Sequence, residues 1–198
     1  MMRVTETPIC TRAEAKPDTT RLGIPTTTEA DDRTTTGCSG VVHTASNTSL
    51  SPDPTVVIPS SVALVLAMLR AAAVVPSIKR FVFTSSTSTL PPFLSRVSAT
   101  SRDNLPQVTA GSWASDDIVE KAWGAGPPYN PRNAGAVYAA SKILSEHACW
   151  DFMAKHDPAP GFTLNTIVPA TQIGAFVHED LKSSVNGLLW KVWQVFAG

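Results

Sequence analysis

The stretch that decides the fold is KRFVFTSS, residues 79–86. Its centre is a short run of aromatic and β-branched side chains, and it ends in two serines, which is typical of a buried strand that runs into a polar loop. Residues 56–75, just upstream, are rich in Ala and Val and continue too long for a strand. They predict a mostly buried helix, because strands are rarely so long.

Strands and helices also alternate in the predicted elements on both sides of residues 56–86. Residues 40–45 predict a strand upstream, and residues 162–168 predict a strand downstream. Helices are predicted over residues 116–123, 135–156 and 187–196. Strand, helix, strand, loop, helix and strand is the order of βαβ units, so the sequence predicts an α/β fold with a parallel sheet covered by helices.

Composition argues against several functional classes. The 198 residues contain 16 Lys+Arg and 16 Asp+Glu, so the formal net charge is zero. A protein that binds nucleic acid or a membrane through bulk positive charge is therefore not indicated. A hydrophobic content of 43% is sufficient for a buried core. Three widely spaced cysteines without a C-x-x-C pattern predict neither a disulfide framework nor a metal site.

The chain divides by composition into a tail and a domain. Residues 1–36 are Thr-rich and without periodicity, which predicts a disordered or poorly packed segment before a domain over residues 37–198. The first 36 residues contain no apolar run typical of a secretory leader. The longest apolar run, residues 62–75, contains Arg70 and is shorter than the roughly 18 residues of a membrane span. We therefore expect a soluble, cytoplasmic protein.

One pair of residues points to chemistry. Tyr138 and Lys142, in the sequence YAASK, are four positions apart and share one face of the predicted helix. A phenol has an unperturbed pKa near 10, and a neighbouring ammonium lowers that pKa towards neutrality. Such a phenol can protonate a carbonyl oxygen, or deprotonate an alcohol, while a hydride is transferred.

A hydroxyl at a strand end would complete such a site. In parallel sheets, ligands bind beyond the carboxyl ends of the strands, where Ser85 or Ser86 could hold a carbonyl oxygen. Each feature alone has an ordinary explanation, because Tyr-x-x-x-Lys pairs occur by chance and paired serines often form turns. Their joint occurrence around a parallel sheet favours catalysis. His43 is interpreted as a packed histidine and not as a catalytic base.

Four stretches, residues 41–46, 79–86, 137–142 and 162–169, resemble the extended short-chain dehydrogenase/reductases, also described as the NAD-dependent epimerase/dehydratase family. The nearest branch is similar to NADPH-dependent fungal-type aldehyde and ketone reductases, relatives of dihydroflavonol reductase. The resemblance implies a truncated Rossmann-like, doubly wound parallel sheet, of which residues 37–198 form a partial reductase domain.

The resemblance also implies roles for individual residues. Ser86 would hold the carbonyl oxygen, Tyr138 would be the acid, and Lys142 would lower the pKa of Tyr138 and bind the nicotinamide ribose. The cofactor would be NADP(H), with NAD(H) as the alternative, and the substrate a small carbonyl compound such as a secondary-metabolite or polyketide intermediate. The implied cofactor contacts are Ala45, Ser46, Thr84, Ser85, Tyr138, Lys142, Pro169, Ala170 and Thr171.

The sequence departs from the family where the cofactor phosphates would bind. Family members carry a Gly-x-x-Gly-x-x-Gly turn after their first strand, whereas Gly37 and Gly40 precede a strand here. The C-terminal part of relatives is also lacking. Two hypotheses therefore stand: a carbonyl reductase, or a truncated, inactive paralogue acting as a binding or accessory protein or an incomplete gene product. The missing first strands also predict self-association through an exposed edge of the His43 strand.

Overall fold

The computed structural model describes residues 37–91, 108–109, 111–113, 117–124 and 126–172. Each strand and helix predicted within these ranges is present, with ends that differ by a few residues. The predicted tail over residues 1–36 and the predicted helix over residues 187–196 lie outside the described residues. The described elements are β1 (Gly40–His43), α1 (Pro54–Ala73), β2 (Arg80–Thr84), α2 (Asp117–Gly124), α3 (Ala134–Lys155) and β3 (Thr163–Ile167).

The three strands form one parallel sheet in the order β1-β2-β3. β2 is the central strand: Phe81 is paired with Val41 of β1, and Phe83 is paired with Thr166 of β3. Because all three strands are parallel, their carboxyl ends meet at one edge of the sheet. The predicted α/β class with a parallel sheet and packed helices is confirmed.

α1 begins two residues before the predicted start. The carboxylate of Asp53 accepts a hydrogen bond from the backbone N–H of Thr55 at 2.9 Å, and Pro54 occupies the first helical position, where no N–H partner is needed. With 20 residues and a mean hydropathy of 2.0, α1 is long and apolar enough to cross a membrane. The prediction that this apolar segment is too short to cross a membrane is therefore wrong. In this fold Val65 and Leu69 of α1 are fully buried, as in the core helix of a soluble α/β protein.

The core lies between one face of the sheet and the two long helices. Phe81 and Phe83 point from β2 to this face and belong to one buried cluster with Leu69 of α1 and Cys149 of α3. α1 packs along α3, and Ala122 of α2 packs with the start of both helices, beside Val57 of α1 and Val137 of α3. Side chains alternate between faces along a strand, so Val42 and Ile167 lie on the opposite face, where they are 55% and 47% exposed.

The chain divides into two compact units, Met1–Val168 and Pro169–Gly198. All the strands and helices above belong to the first unit. In the second unit the structure describes residues 169–172, where the side-chain amide of Gln172 donates to the carbonyl of Ala170 at 3.2 Å. The predicted domain boundary at residue 37 coincides with the first described residue and stays a prediction.

Replacement of Phe81 by Ala tests the importance of this core. Phe81 is fully buried and its ring lies 5.8 Å from that of Phe162. We expect Phe81→Ala to lower the free energy of unfolding by about 3–5 kcal/mol, because the surrounding side chains cannot close the cavity. Val74→Ala, at an exposed position after α1, should change it by less than about 0.5 kcal/mol. Urea unfolding of the two variants measures both values; equal losses would contradict this picture of the core.

Candidate active site

Tyr138 and Ser86 lie next to each other at the edge where β2 ends. The first two turns of α3 place Tyr138 beside the loop that follows β2, and Ser86 interacts with the phenol through a side-chain hydrogen bond. The Ser86 hydroxyl also accepts from the backbone N–H of Ser88 at 3.2 Å, at the start of a short 3₁₀ turn. The structure therefore favours Ser86 over Ser85 as the hydroxyl beside the phenol.

Lys142 lies one turn further along α3 and is buried. Its ammonium donates a hydrogen bond to the backbone carbonyl of Thr84 at 3.0 Å. The same Nζ atom lies 6.0 Å from the ring centroid of Tyr138 and 5.5 Å from that of Phe83. The structure thus brings together the three residues that the sequence predicts to be catalytic: Ser86, Tyr138 and Lys142.

The pKa of Tyr138 shifts in the direction opposite to the one expected from the sequence. Burial raises the pKa of the phenol above its ordinary value, and the hydrogen bond with Ser86 opposes this rise only in part. The sequence predicts that Lys142 lowers the pKa of Tyr138. In the structure, however, the Lys142 ammonium lies over the face of the Tyr138 ring and donates a hydrogen bond to the carbonyl of Thr84. A phenol with a raised pKa carries its proton at neutral pH, as a proton donor must.

Burial also shifts the pKa of Lys142. Removal of the ammonium from water lowers the pKa of Lys142, and the negative charge of Glu146 opposes that shift. Glu146 is not among the residues that the sequence analysis singles out. Its position four residues after Lys142 is a signal that could have identified it, because that spacing places both side chains on one face of α3.

The Ser85 hydroxyl binds the carboxylate of Glu146 and is not exposed to solvent. The Ser85 hydroxyl donates to Oε2 of Glu146 at 2.5 Å, and both side chains are buried. The sequence analysis expects Ser85 to contact the cofactor. Both the hydroxyl proton and the backbone N–H of Ser85 already have partners, the latter in the carbonyl of Ile167 at 2.8 Å, so only acceptor oxygens of Ser85 remain for such a contact.

His43, at the end of β1, is packed as interpreted from the sequence. Its ring stacks on that of Phe83, with centroids 6.1 Å apart, and lies 6.3 Å from that of Phe81. Burial, together with the positive charge of Lys142, lowers the pKa of His43 to about 4. His43 is therefore neutral at physiological pH, and a second positive charge next to Lys142 is avoided.

The loop after β1 reaches the same edge of the sheet. Ala45 is exposed and Ser46 is half-buried there. The side-chain amide of Asn47 donates to the hydroxyl of Ser60 at 3.1 Å and so ties this loop to α1. The remaining predicted contacts, Pro169, Ala170 and Thr171, belong to the second unit and stay predictions.

The site fits one end of a nicotinamide cofactor. Thr84 Oγ1, at the carboxyl end of β2, is buried and has no hydrogen-bond partner among the described residues, so a bound polar group could satisfy it. The phosphate end is different, because no glycine-rich turn follows a strand in the described part of the chain. Gly40 begins β1, and a Cβ atom there would lie 3.3 Å from the carbonyl oxygen of Arg80. This glycine therefore allows close strand packing and does not form a phosphate cradle.

A separate cavity of about 680 Å³ lies beside the later turns of α3. Its lining is mainly apolar, including Leu90, Trp113 and Trp150, and Glu146 contributes a carboxylate. Neither Ser86 nor Tyr138 lines it. Within the described ranges, no three side chains of the His, Cys, Asp or Glu type converge as metal ligands would.

Comparison with known proteins identifies relatives. The NAD-dependent epimerase/dehydratase terH of Aspergillus terreus is 35% identical over 145 residues, which is 73% of this chain and 39% of the relative. Aldehyde reductase 2 of Sporidiobolus salmonicolor is 38% identical over 168 residues, which is 83% of this chain and 45% of the relative. Gre2 from Candida albicans, solved in complex with NADPH, shares the fold with a TM-score of 0.55 at 24% identity, over 75% of this chain and 41% of that one.

These comparisons also define how much of the relatives is present. The chain spans less than half the length of the two curated relatives, 39% and 45%. No protein-family model matches the chain. The similarity therefore concerns the segment that contains the sheet and α3, and the activity of the full-length relatives does not transfer automatically to this chain.

The buried His43 predicts a loss of stability in acid. Its pKa is about 4 in the folded protein and 6.5 in the unfolded chain, so between these values the unfolded chain binds more protons. The free energy of unfolding should therefore fall as the pH drops from about 6.5 to about 4, by on the order of 3 kcal/mol from this residue. Urea unfolding above pH 6.5 and near pH 4, compared with His43→Phe, isolates this contribution, because carboxylates titrate in both proteins. Identical pH dependence in both would show that His43 is not responsible.

Proposed function

We propose that this chain belongs to the extended short-chain dehydrogenase/reductases and carries the catalytic part of an NAD(P)H-dependent oxidoreductase that reduces aldehydes or ketones. The observation that carries the proposal is the meeting of Ser86, Tyr138 and Lys142 at the carboxyl end of β2. A hydroxyl, a protonated phenol and a buried ammonium at one point suit carbonyl reduction, which must stabilise and then protonate a developing alkoxide.

Each of the three side chains has a distinct task. A bound reduced nicotinamide supplies the hydride for the carbonyl carbon. Ser86 holds the carbonyl oxygen beside the phenol, and Tyr138 gives its proton to that oxygen as negative charge develops there. The raised pKa of Tyr138 keeps this proton available at neutral pH. Lys142, whose ammonium lies 6.0 Å from the ring centroid of Tyr138, would hold the nicotinamide ribose beside the phenol.

NADP(H) is the cofactor we propose, with NAD(H) as the alternative. Lys142 and Tyr138 would hold the nicotinamide ribose, and the unpartnered hydroxyl of Thr84 is available on the same strand end. The NADPH complex of Gre2 from Candida albicans, which has the same fold, supports this choice. Because no glycine-rich turn is present to bind the phosphates, we expect the isolated chain to bind the cofactor weakly.

The substrate we propose is a small apolar aldehyde or ketone, with secondary-metabolite or polyketide intermediates as candidates. The aldehyde reductase among the relatives supports carbonyl chemistry in general. We also propose that the protein works in the cytoplasm, where NADPH is supplied.

An inactive paralogue or an incomplete gene product is the second candidate. It is favoured by one specific observation: Gly37 precedes β1 and Gly40 is its first residue, so neither glycine follows a strand. On this interpretation the chain would keep the geometry of the catalytic residues without being able to hold the cofactor phosphates. Cofactor binding distinguishes the two candidates.

Calorimetric titration of the purified chain with NADPH and NADH tests the proposal. We expect measurable binding that weakens at least about tenfold in Lys142→Ala, because each factor of ten corresponds to the loss of about one charge-assisted hydrogen bond. Lys155→Ala is the matched control, because Lys155 lies on the same helix but is exposed and paired with Asp151. Absence of binding to the unmodified chain would favour the inactive candidate.

Replacement of Tyr138 by Phe tests the proposed acid. If NADPH binds, we expect Tyr138→Phe to lower kcat for aldehyde reduction by about 100-fold or more, because general acid catalysis contributes about that much, whereas loss of the ribose contact should weaken NADPH binding by only about tenfold. Tyr129→Phe is the matched control, since Tyr129 is the chain's other tyrosine and lies outside α3. An unchanged rate in Tyr138→Phe would exclude this residue as the proton donor.

Self-association through the edge of β1 is a further proposal. Within the described sheet, β1 pairs only with β2, so its other edge is open to a second chain. Val42 adds an exposed apolar side chain on that strand. We expect concentration-dependent association in sedimentation equilibrium, weakened by Val42→Lys, because a charge on an edge strand opposes pairing. A protein that stays monomeric at every concentration would rule this out.

A further inference from the structure

Three successive residues at the end of β2 contact three successive turns of α3. The carbonyl of Thr84 accepts from Lys142, the hydroxyl of Ser85 donates to Glu146, and Ser86 interacts with Tyr138. On α3, positions 138, 142 and 146 are spaced by four and share one face. The strand end and the helix are thus joined at three points, and the proposed function uses only two of them.

The third contact, the hydrogen bond between Ser85 and Glu146, is buried. Ser85, Lys142 and Glu146 are 3%, 4% and 6% exposed. A charged side chain is costly to bury unless it has hydrogen bonds and an opposite charge nearby. Glu146 receives the hydroxyl of Ser85, and its charge favours the protonated form of Lys142. The charge of Glu146 therefore offsets part of the cost of burying the Lys142 ammonium.

We propose that Glu146 is a positioning residue of the active site: through its hydrogen bond with Ser85 it fixes the β2 end on which Ser86 stands, and from one turn further along the same face of α3 it sets the electrostatic environment of the Lys142 ammonium. The inference rests on the proposed function in so far as Ser86 and Lys142 are catalytic. It goes further, because it assigns a task to a residue that touches neither the carbonyl group nor the phenol.

The other described titratable groups around Lys142 carry no negative charge that could act in place of Glu146. His43, from β1, is neutral because burial and Lys142 lower its pKa to about 4. Tyr138, on the same helix, is protonated because burial raises its pKa. Cys149, one turn after Glu146, is also neutral, because burial and Glu146 raise the pKa of its thiol to about 12. Among these groups, Glu146 is thus the one whose charge favours the ammonium form of Lys142.

The first test measures the pKa of Lys142 in the free protein. Heteronuclear NMR of isotope-labelled lysine side chains follows the titration of Lys142, and its signal is assigned by its absence from Lys142→Ala. Glu146→Gln keeps an oxygen that can accept from Ser85 but removes the charge. We expect it to lower the pKa of Lys142 by about one unit or more, because an opposing buried charge has at least that effect.

Two further variants are the controls for this titration. Asp151→Asn makes the same chemical change on the same helix at an exposed position and should leave the pKa of Lys142 unchanged. Glu146→Asp keeps the charge and should restore most of the pKa that Glu146→Gln loses. An unchanged pKa in Glu146→Gln, or an equal loss in Glu146→Asp, would overturn the proposed electrostatic role.

The second test separates positioning from stability. Ser85→Ala removes the hydroxyl that binds Glu146, and we expect it to lower kcat about tenfold or more while the KM for NADPH changes little, because Ser86 loses its fixed support. An effect on unfolding alone, with kcat unchanged, would overturn the positioning role of Ser85. Failure of the wild-type chain to bind NADPH would contradict the proposed function, whereas the NMR titration would still decide the role of Glu146.

Discussion

The attachment of the β2 end to α3 is the constraint on which the rest of the site depends. Thr84, Ser85 and Ser86 leave the sheet as one short segment, and each of them contacts a different turn of the same helix. Because a helix is rigid and β2 is held by strands on both sides, these contacts define where the phenol and the ammonium stand. Catalytic geometry here follows from the packing of two regular elements and does not depend on a flexible loop.

Burial determines the protonation states in this cluster. The same removal from water that lowers the pKa of His43 and of Lys142 raises that of Tyr138, so each group is shifted towards its neutral form. Glu146 acts against this trend at Lys142 alone. Burial thus favours the protonated form of the Tyr138 phenol, while the charge of Glu146 opposes the loss of the proton from Lys142.

The remainder of the fold supports this edge of the sheet. α1 is apolar enough for a membrane, yet it packs with α3 over Phe81 and Phe83 and closes the core. The opposite face carries Val42 and Ile167 as partly exposed side chains. The chain spans less than half of its curated relatives, and no glycine-rich turn follows a strand among the described residues. The proposed catalytic residues and the binding of the cofactor phosphates are therefore separate questions for this protein.

The sequence by itself determined the strands and helices, their parallel arrangement and the pair Tyr138 and Lys142. These features depend on local patterns: β-branched runs, helical periodicity and a spacing of four residues. Local patterns left Ser85 and Ser86 as alternatives, between which the family resemblance selected Ser86. Tertiary structure alone decided the direction in which the pKa of Tyr138 shifts and the contact of Glu146 with Ser85. Those outcomes depend on burial and on contacts between residues 58 and 61 positions apart, Thr84 with Lys142 and Ser85 with Glu146. No local pattern encodes such distances, because they exist only after α3 has packed against the sheet.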